Sequence, residues 1–167
     1  MGERMRNNST KVVVRTFLHS AEEGLVGIEE SRAVFGRDLY VQGSVELCVD
    51  GVVILARDDV DTIDSLWSFF LACLDDFLKR GYGVLRFPEC AYVLTLKRVT
   101  GGRVVMKFEG PNKNRSALGG EREVIDGLLL GAVEFFQSVL DSSPRDEWGY
   151  RRDLGTALLL RSDLLGS

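Results

Sequence analysis

The sequence predicts an α+β domain, with a mainly antiparallel sheet built from hairpins and about three helices packed mostly on one face. Three observations predict it. Residues 39–49 alternate apolar and polar side chains with period two, as a half-buried strand does. Two pairs of strand-like segments are joined by tight turns, Asp50-Gly51 and Thr100-Gly101-Gly102, which favours antiparallel pairing. Residues from 58 to 81 and from 121 to 141 carry apolar stripes at helical spacing. A chain of 167 residues fits one domain, expected to span 11–167 behind a flexible tail at 1–10.

Lys11 to His19 is β-branched and reads as a strand, broken by Glu22, Glu23 and Gly24. Leu25 to Phe35 is read as holding a second strand. In the strand from Leu39 to Val49, Gly43 falls on the apolar side, which suggests a bulge or a close neighbour. Val52 to Ala56 returns from the Asp50-Gly51 turn. Asp58, Asp59 and Asp61 then introduce a helix, since acidic side chains favour the positive end of the helix dipole. Its stripe includes Trp67 and Phe70, and Gly81 ends it. Tyr82 to Phe87 reads as a short strand, followed by the hairpin Ala91 to Val99 and Arg103 to Glu109. Residues 110–120, rich in Gly, Pro and Asn, read as a mobile loop. Glu121 to Asp141 reads as the second helix. A third is placed from about Asp146 to Leu164, weakened by Gly149 and Gly155.

The opening stretch MGERMRNNST is polar, and no apolar run approaches a membrane span, so a cytoplasmic location and no membrane partner are expected. Cys48, Cys73 and Cys90 lack metal or disulfide spacing and read as buried free thiols. His19 is the only histidine, no nucleophile motif surrounds a serine or cysteine, and no phosphate loop is present, so no catalytic residue or cofactor is assigned. The acids Asp58, Asp59, Asp61 and Asp64 do not match a calcium loop, and helix capping accounts for them without a metal.

Charge is more informative. The chain has 25 acidic and 21 basic residues, a balance that disfavours nonspecific nucleic-acid binding. Acids dominate from Glu46 to Asp76, and bases from Lys97 to Glu123. A non-enzymatic protein-binding domain therefore ranks first, such as an immunity or antitoxin-type inhibitor that presents Glu46, Asp50, Asp61, Asp64 and Asp75 to a basic protein partner, for instance a toxin. The alternative is a divalent-cation-dependent enzyme or small-molecule binder using Asp58 to Asp64. A second alternative is a subunit of a larger assembly or homo-oligomer. Gly127 and Gly131, which bracket Leu130 on the polar side of the second helix, suggest a close contact there, with the third helix as the expected occupant and a second protein chain, as the subunit reading requires, as the alternative.

Overall fold

The structure is a computed structural model and describes residues 9–20, 24–30, 41–142, 144 and 147–167. It contains nine strands and three α-helices in these residues. The strands form two antiparallel sheets rather than one. In the first sheet, β1 (Val12–Ser20) lies between β2 (Gly24–Gly27) and β3 (Gln42–Val49). The other side of β3 pairs with β4 (Val52–Leu55) and then with the two-residue β5 (Asp61–Thr62). The second sheet runs in order β6 (Tyr82–Arg86), β7 (Val93–Val99), β8 (Arg103–Gly110) and β9 (Lys113–Gly120).

The hairpin turns form for the expected reasons. Asp50 and Gly51 have φ of 48° and 82°, the doubly left-handed geometry of a two-residue turn. The Asp50 carboxylate also accepts a hydrogen bond from the Lys11 backbone N–H at 2.8 Å, which ties the start of β1 to the turn. Gly43 has its expected close neighbour, because a Cβ there would stand against the Phe17 carbonyl and Ile63. Leu39 and Tyr40 lie outside the described residues, as do 31–35 of the expected second strand. What is described of that segment is β2 followed by a 3-10 turn over Ile28–Glu30.

Residues 110–120 are not a loop. Pro111 and Asn112 make a tight turn with Asn112 at φ 59°, and β9 pairs with β8 along its length, from Lys113↔Gly110 to Gly120↔Arg103. Thr10 is likewise tied down, since its hydroxyl accepts the Gly120 N–H at 2.7 Å. Residues 1–8 of the expected tail lie outside the described residues.

Helix α1 (Ile63–Arg80) begins later than expected, so Asp58, Asp59 and Asp61 precede it, and Gly81 closes it at φ 73°. Helix α2 (Glu121–Asp141) has the expected bounds. Helix α3 (Glu147–Gly166) is continuous through Gly149 and Gly155. One cluster of buried residues joins both sheets and all three helices. Trp67 and Phe70 sit in it as expected, and Trp67 donates its indole N–H to the Thr16 hydroxyl at 3.1 Å.

The glycines of α2 serve this core. A Cβ at Gly131 would lie 2.7 Å from Val14 and 2.9 Å from Trp67, and one at Gly127 would lie 2.9 Å from Val12. Strand β1, joined at Gly131 by Trp67 of α1, approaches them, and not the third helix. Gly131→Ala is therefore expected to destabilise by about 1–3 kcal/mol through overpacking. Gly155→Ala, where a Cβ meets nothing within 4 Å among the described residues, is expected to stabilise by about 0.5–1 kcal/mol through helix propensity. Urea denaturation of the two variants checks this, and a shift in the same direction for both would contradict it.

Candidate functional site

The segment joining β4 to α1 was expected to be an acidic surface. It is instead the joint between the two sheets. β4 and β9 approach there without forming a ladder, and side chains make the connection. Alternation along β9 turns Lys113 and Arg115 inward, between the exposed Asn114 and Ser116. Asp59 meets both cations. Its Oδ1 accepts from Lys113 Nζ at 2.6 Å, and its Oδ2 accepts from Arg115 Nη1 at 2.7 Å. The Ala56 backbone N–H donates to the same Oδ2 at 2.7 Å, and Arg115 also donates to the Ile54 carbonyl at 3.2 Å. Aromatic faces complete the setting, with Arg115 over Phe108 at 5.0 Å and Lys113 over Tyr92 at 4.9 Å.

The Asp59 side chain is only 1% exposed. Burial pushes its pKa up, but the hydrogen bonds from Arg115, Lys113 and Ala56 more than offset this and hold it below the ordinary carboxylate value. Lys113 responds in the opposite sense: the bond to Asp59, set against a smaller loss of hydration, raises its pKa.

Asp61 lies two residues on and is also buried. It accepts from its neighbour's backbone N–H, Thr62, at 2.6 Å, and from the N–H groups of Glu89 and Cys90 at 3.1 and 3.0 Å. It pins β5 to the turn between β6 and β7, and is not on the exposed side of α1 as expected.

The other expected partner-binding acids do not gather into one set of free carboxylates. Glu46 pairs with Arg57 at 2.7 Å. Asp64, in the first turn of α1, accepts from the Tyr150 hydroxyl of α3 at 2.9 Å and from the Ser65 N–H at 2.8 Å. Asp75 pairs with Lys79 on the same helix at 2.9 Å. Asp50 is exposed but holds Lys11, and Asp58 is exposed near Lys113. Leu130 is partly exposed between the internal Gly127 and Gly131. Among the described residues no three His, Cys, Asp or Glu side chains converge as a metal site would require.

The thiols differ in setting. Cys73 is buried, and burial, with a smaller effect of Asp76, pushes its pKa up to about 12. Cys48 and Cys90 are half-buried rather than buried. Loss of hydration and then the nearby Asp61 raise the Cys90 pKa, and its thiol donates to the Val60 carbonyl at 3.4 Å. A raised pKa lowers the thiolate fraction that a nucleophile needs.

A cleft of about 540 Å³ lies between the end of α1, the start of α2 and the end of α3. Its charged side chains largely engage one another or the backbone: Arg98 pairs with Glu121 at 2.6 Å, Lys79 with Asp75, and Arg122 caps the Leu164 and Leu165 carbonyls at the end of α3. No described helix is long and apolar enough to cross a membrane.

The outer face of the second sheet is the surface that sequence reasoning missed. Leu94, Leu96, Val104, Met106 and Phe108 point inward and are buried. Tyr82, Lys97, Val105 and Leu118 form one outward row across all four strands, and Val84, Thr95, Lys107 and Ser116 form the next. Arg86 and Arg103 flank these rows, and Glu109 is the acidic side chain on this face. Tyr82 is 50% and Leu118 40% exposed. The signal was available in the alternation of residues 103–109, had 113–120 been read as a strand. Known protein families, curated proteins and solved structures were all compared with this chain, and none matches it.

The ion cluster gives a pH prediction. A carboxylate whose folded pKa lies below its unfolded value of about 3.9 gives its full stabilisation above that pH and loses it as pH falls through the folded value. Asp59→Asn is expected to cost about 3 kcal/mol at neutral pH, because it leaves two partly buried cations without their counter-charge. It is also expected to flatten the loss of stability below about pH 4. Denaturant midpoints from pH 2 to 7 check both, and an unchanged acid limb would contradict the assignment. Asp61→Lys is expected to abolish folding, read by circular dichroism, since it removes a buried acceptor and adds a buried charge.

Proposed function

We propose that this chain is a non-enzymatic protein-binding domain that engages an acidic partner through the outer face of the β6–β9 sheet. The observation that supports the reading is the composition of that face. Tyr82, Val105 and Leu118, in one row with Lys97, lie among Arg86, Arg103 and Lys107, with Glu109, 3.7 Å from Lys107, as the acid. Protein interfaces combine an apolar, aromatic-enriched centre with a polar rim, and rim charges speed the encounter of partners with opposite sign. The sign here selects an acidic partner. An immunity-type inhibitor is one form such a domain takes. The acidic segment contributes less to it than expected, because Asp61 is internal and Glu46 and Asp64 are engaged.

Amine-directed cross-linking with mass spectrometry in host-cell extract tests the reading. The expected result is one acidic protein cross-linked at Lys97 and Lys107. The charge reversals Lys97→Glu and Lys107→Glu are expected to abolish its capture while leaving the melting temperature within a few degrees, as exposed substitutions do. Cross-links confined to other faces, capture unaffected by the reversals, or a nucleic acid as the bound species would contradict it.

A further inference from the structure

The second sheet ends on β6, and the backbone geometry there specifies what fits beside it. Arg98 N–H donates to the Gly81 carbonyl at 2.8 Å, and Phe87 N–H donates to the Tyr92 carbonyl at 3.0 Å. These two pairs fix the phase of the ladder: Gly81, Gly83, Leu85 and Phe87 direct their amide groups toward β7. Tyr82, Val84 and Arg86 therefore direct theirs away from it. Among the described residues no strand pairs with that edge. Neither Pro nor a bulge interrupts it until Pro88.

The ground beside the edge is open as well. A groove of about 250 Å³ runs along β6, lined by Tyr82, Gly83, Val84 and, from α1, Asp76 and Arg80. Helix α1 lies tight against β6 at Gly83, where any Cβ would meet the Cys73 carbonyl. Phe69 is 47% exposed. Asp76 and Arg80, seven and eleven residues further on, lie within about 20° of Phe69 around the helix. The edge strand, the groove and an exposed phenyl ring thus share one side of the molecule.

We infer that the β6 edge is a homodimer interface, with a second copy of this chain adding its own β6 antiparallel to make one eight-stranded sheet. The edge is self-complementary about Val84. A two-fold axis there sets Val84 against the partner's Val84 and Tyr82 against the partner's Arg86, a tyrosine facing a guanidinium. The outward amides of Tyr82, Val84 and Arg86 then make about six interchain hydrogen bonds. The same axis brings the α1 flanks together, so that Phe69 is covered and the Asp76–Arg80 pair of each copy, joined at 2.8 Å on its own helix, lies beside that of the other. The inference shares the Tyr82 and Arg86 side chains with the acidic-partner reading, but it rests on the backbone edge of β6, and its test at Val84 reads self-association rather than capture of an acidic protein.

Sedimentation velocity at micromolar concentrations tests it on the full chain. The wild type is expected to sediment as a dimer. Val84→Lys and Val84→Glu, which place like charges across the axis, are each expected to weaken the dimer about tenfold or more, with far-UV circular dichroism unchanged. An equal mixture of the two variants is expected to recover the dimer, because the axis then joins Lys to Glu. Val84→Pro removes one outward N–H without removing a bond to β7 and is expected to be monomeric and folded. A monomeric wild type, a dimer indifferent to Val84→Lys, or variants that stay monomeric on mixing would overturn the inference.

Discussion

The architecture depends on one interaction, the grip of the Asp59 carboxylate on Lys113 and Arg115. β4 and β9 come together without a backbone ladder, so among the described residues no continuous set of main-chain bonds crosses from one sheet to the other. Side chains carry the junction, and Asp59 is its centre. Burying a carboxylate costs several kcal/mol, and a single opposite charge does not always offset that cost. Here two cations and a backbone N–H converge on one carboxylate, and the cations lie over aromatic rings. The lowered Asp59 pKa shows which effect wins, with hydrogen bonding outweighing desolvation. Asp61 repeats the logic with neutral donors, fixing the 89–90 turn to β5.

This constraint reaches both proposed surfaces. With Lys113 and Arg115 committed inward, the outward row of β9 holds Asn114, Ser116 and Leu118, and the basic character of that face comes from β6, β7 and β8. With β9 held at the junction, β6 becomes the open end of the second sheet. The small residues of α2 act in the same layer. Gly127 and Gly131 let β1 and Trp67 approach, so their close contact is intramolecular. Helix α3 packs against α2 with Ala157 and Leu160 buried, while Trp148, Leu158 and Leu159 are exposed.

Local signals in the sequence made much of the fold legible. The Asp50-Gly51 turn, the Gly81 stop and the bounds of α2 follow from conformational preference and periodicity, which act within a few residues. The misreadings fall where a distant partner decides the outcome. Lys113 and Arg115 resemble loop residues because inward strand positions are usually apolar, and only Asp59, more than fifty residues away, makes them fit. Asp59 and Asp61 resemble helix-start residues for the same reason. Their run of acids looks like a surface, whereas the structure uses them as internal acceptors. Asp61 was lost from the expected acidic face on those grounds, and the basic sheet face emerged only once β9 was in place.

The most direct measurement of the central claim is a double-mutant cycle between Asp59→Ala and Arg115→Ala, read by urea denaturation at neutral pH. If the cluster joins the sheets, the two losses are non-additive, with a coupling of about 0.5–3 kcal/mol, the range for residues in one hydrogen-bond and ion-pair network. The β4 and β9 amides are then expected to lose exchange protection together in either single variant. Additive losses, with protection of both strands retained, would contradict the account.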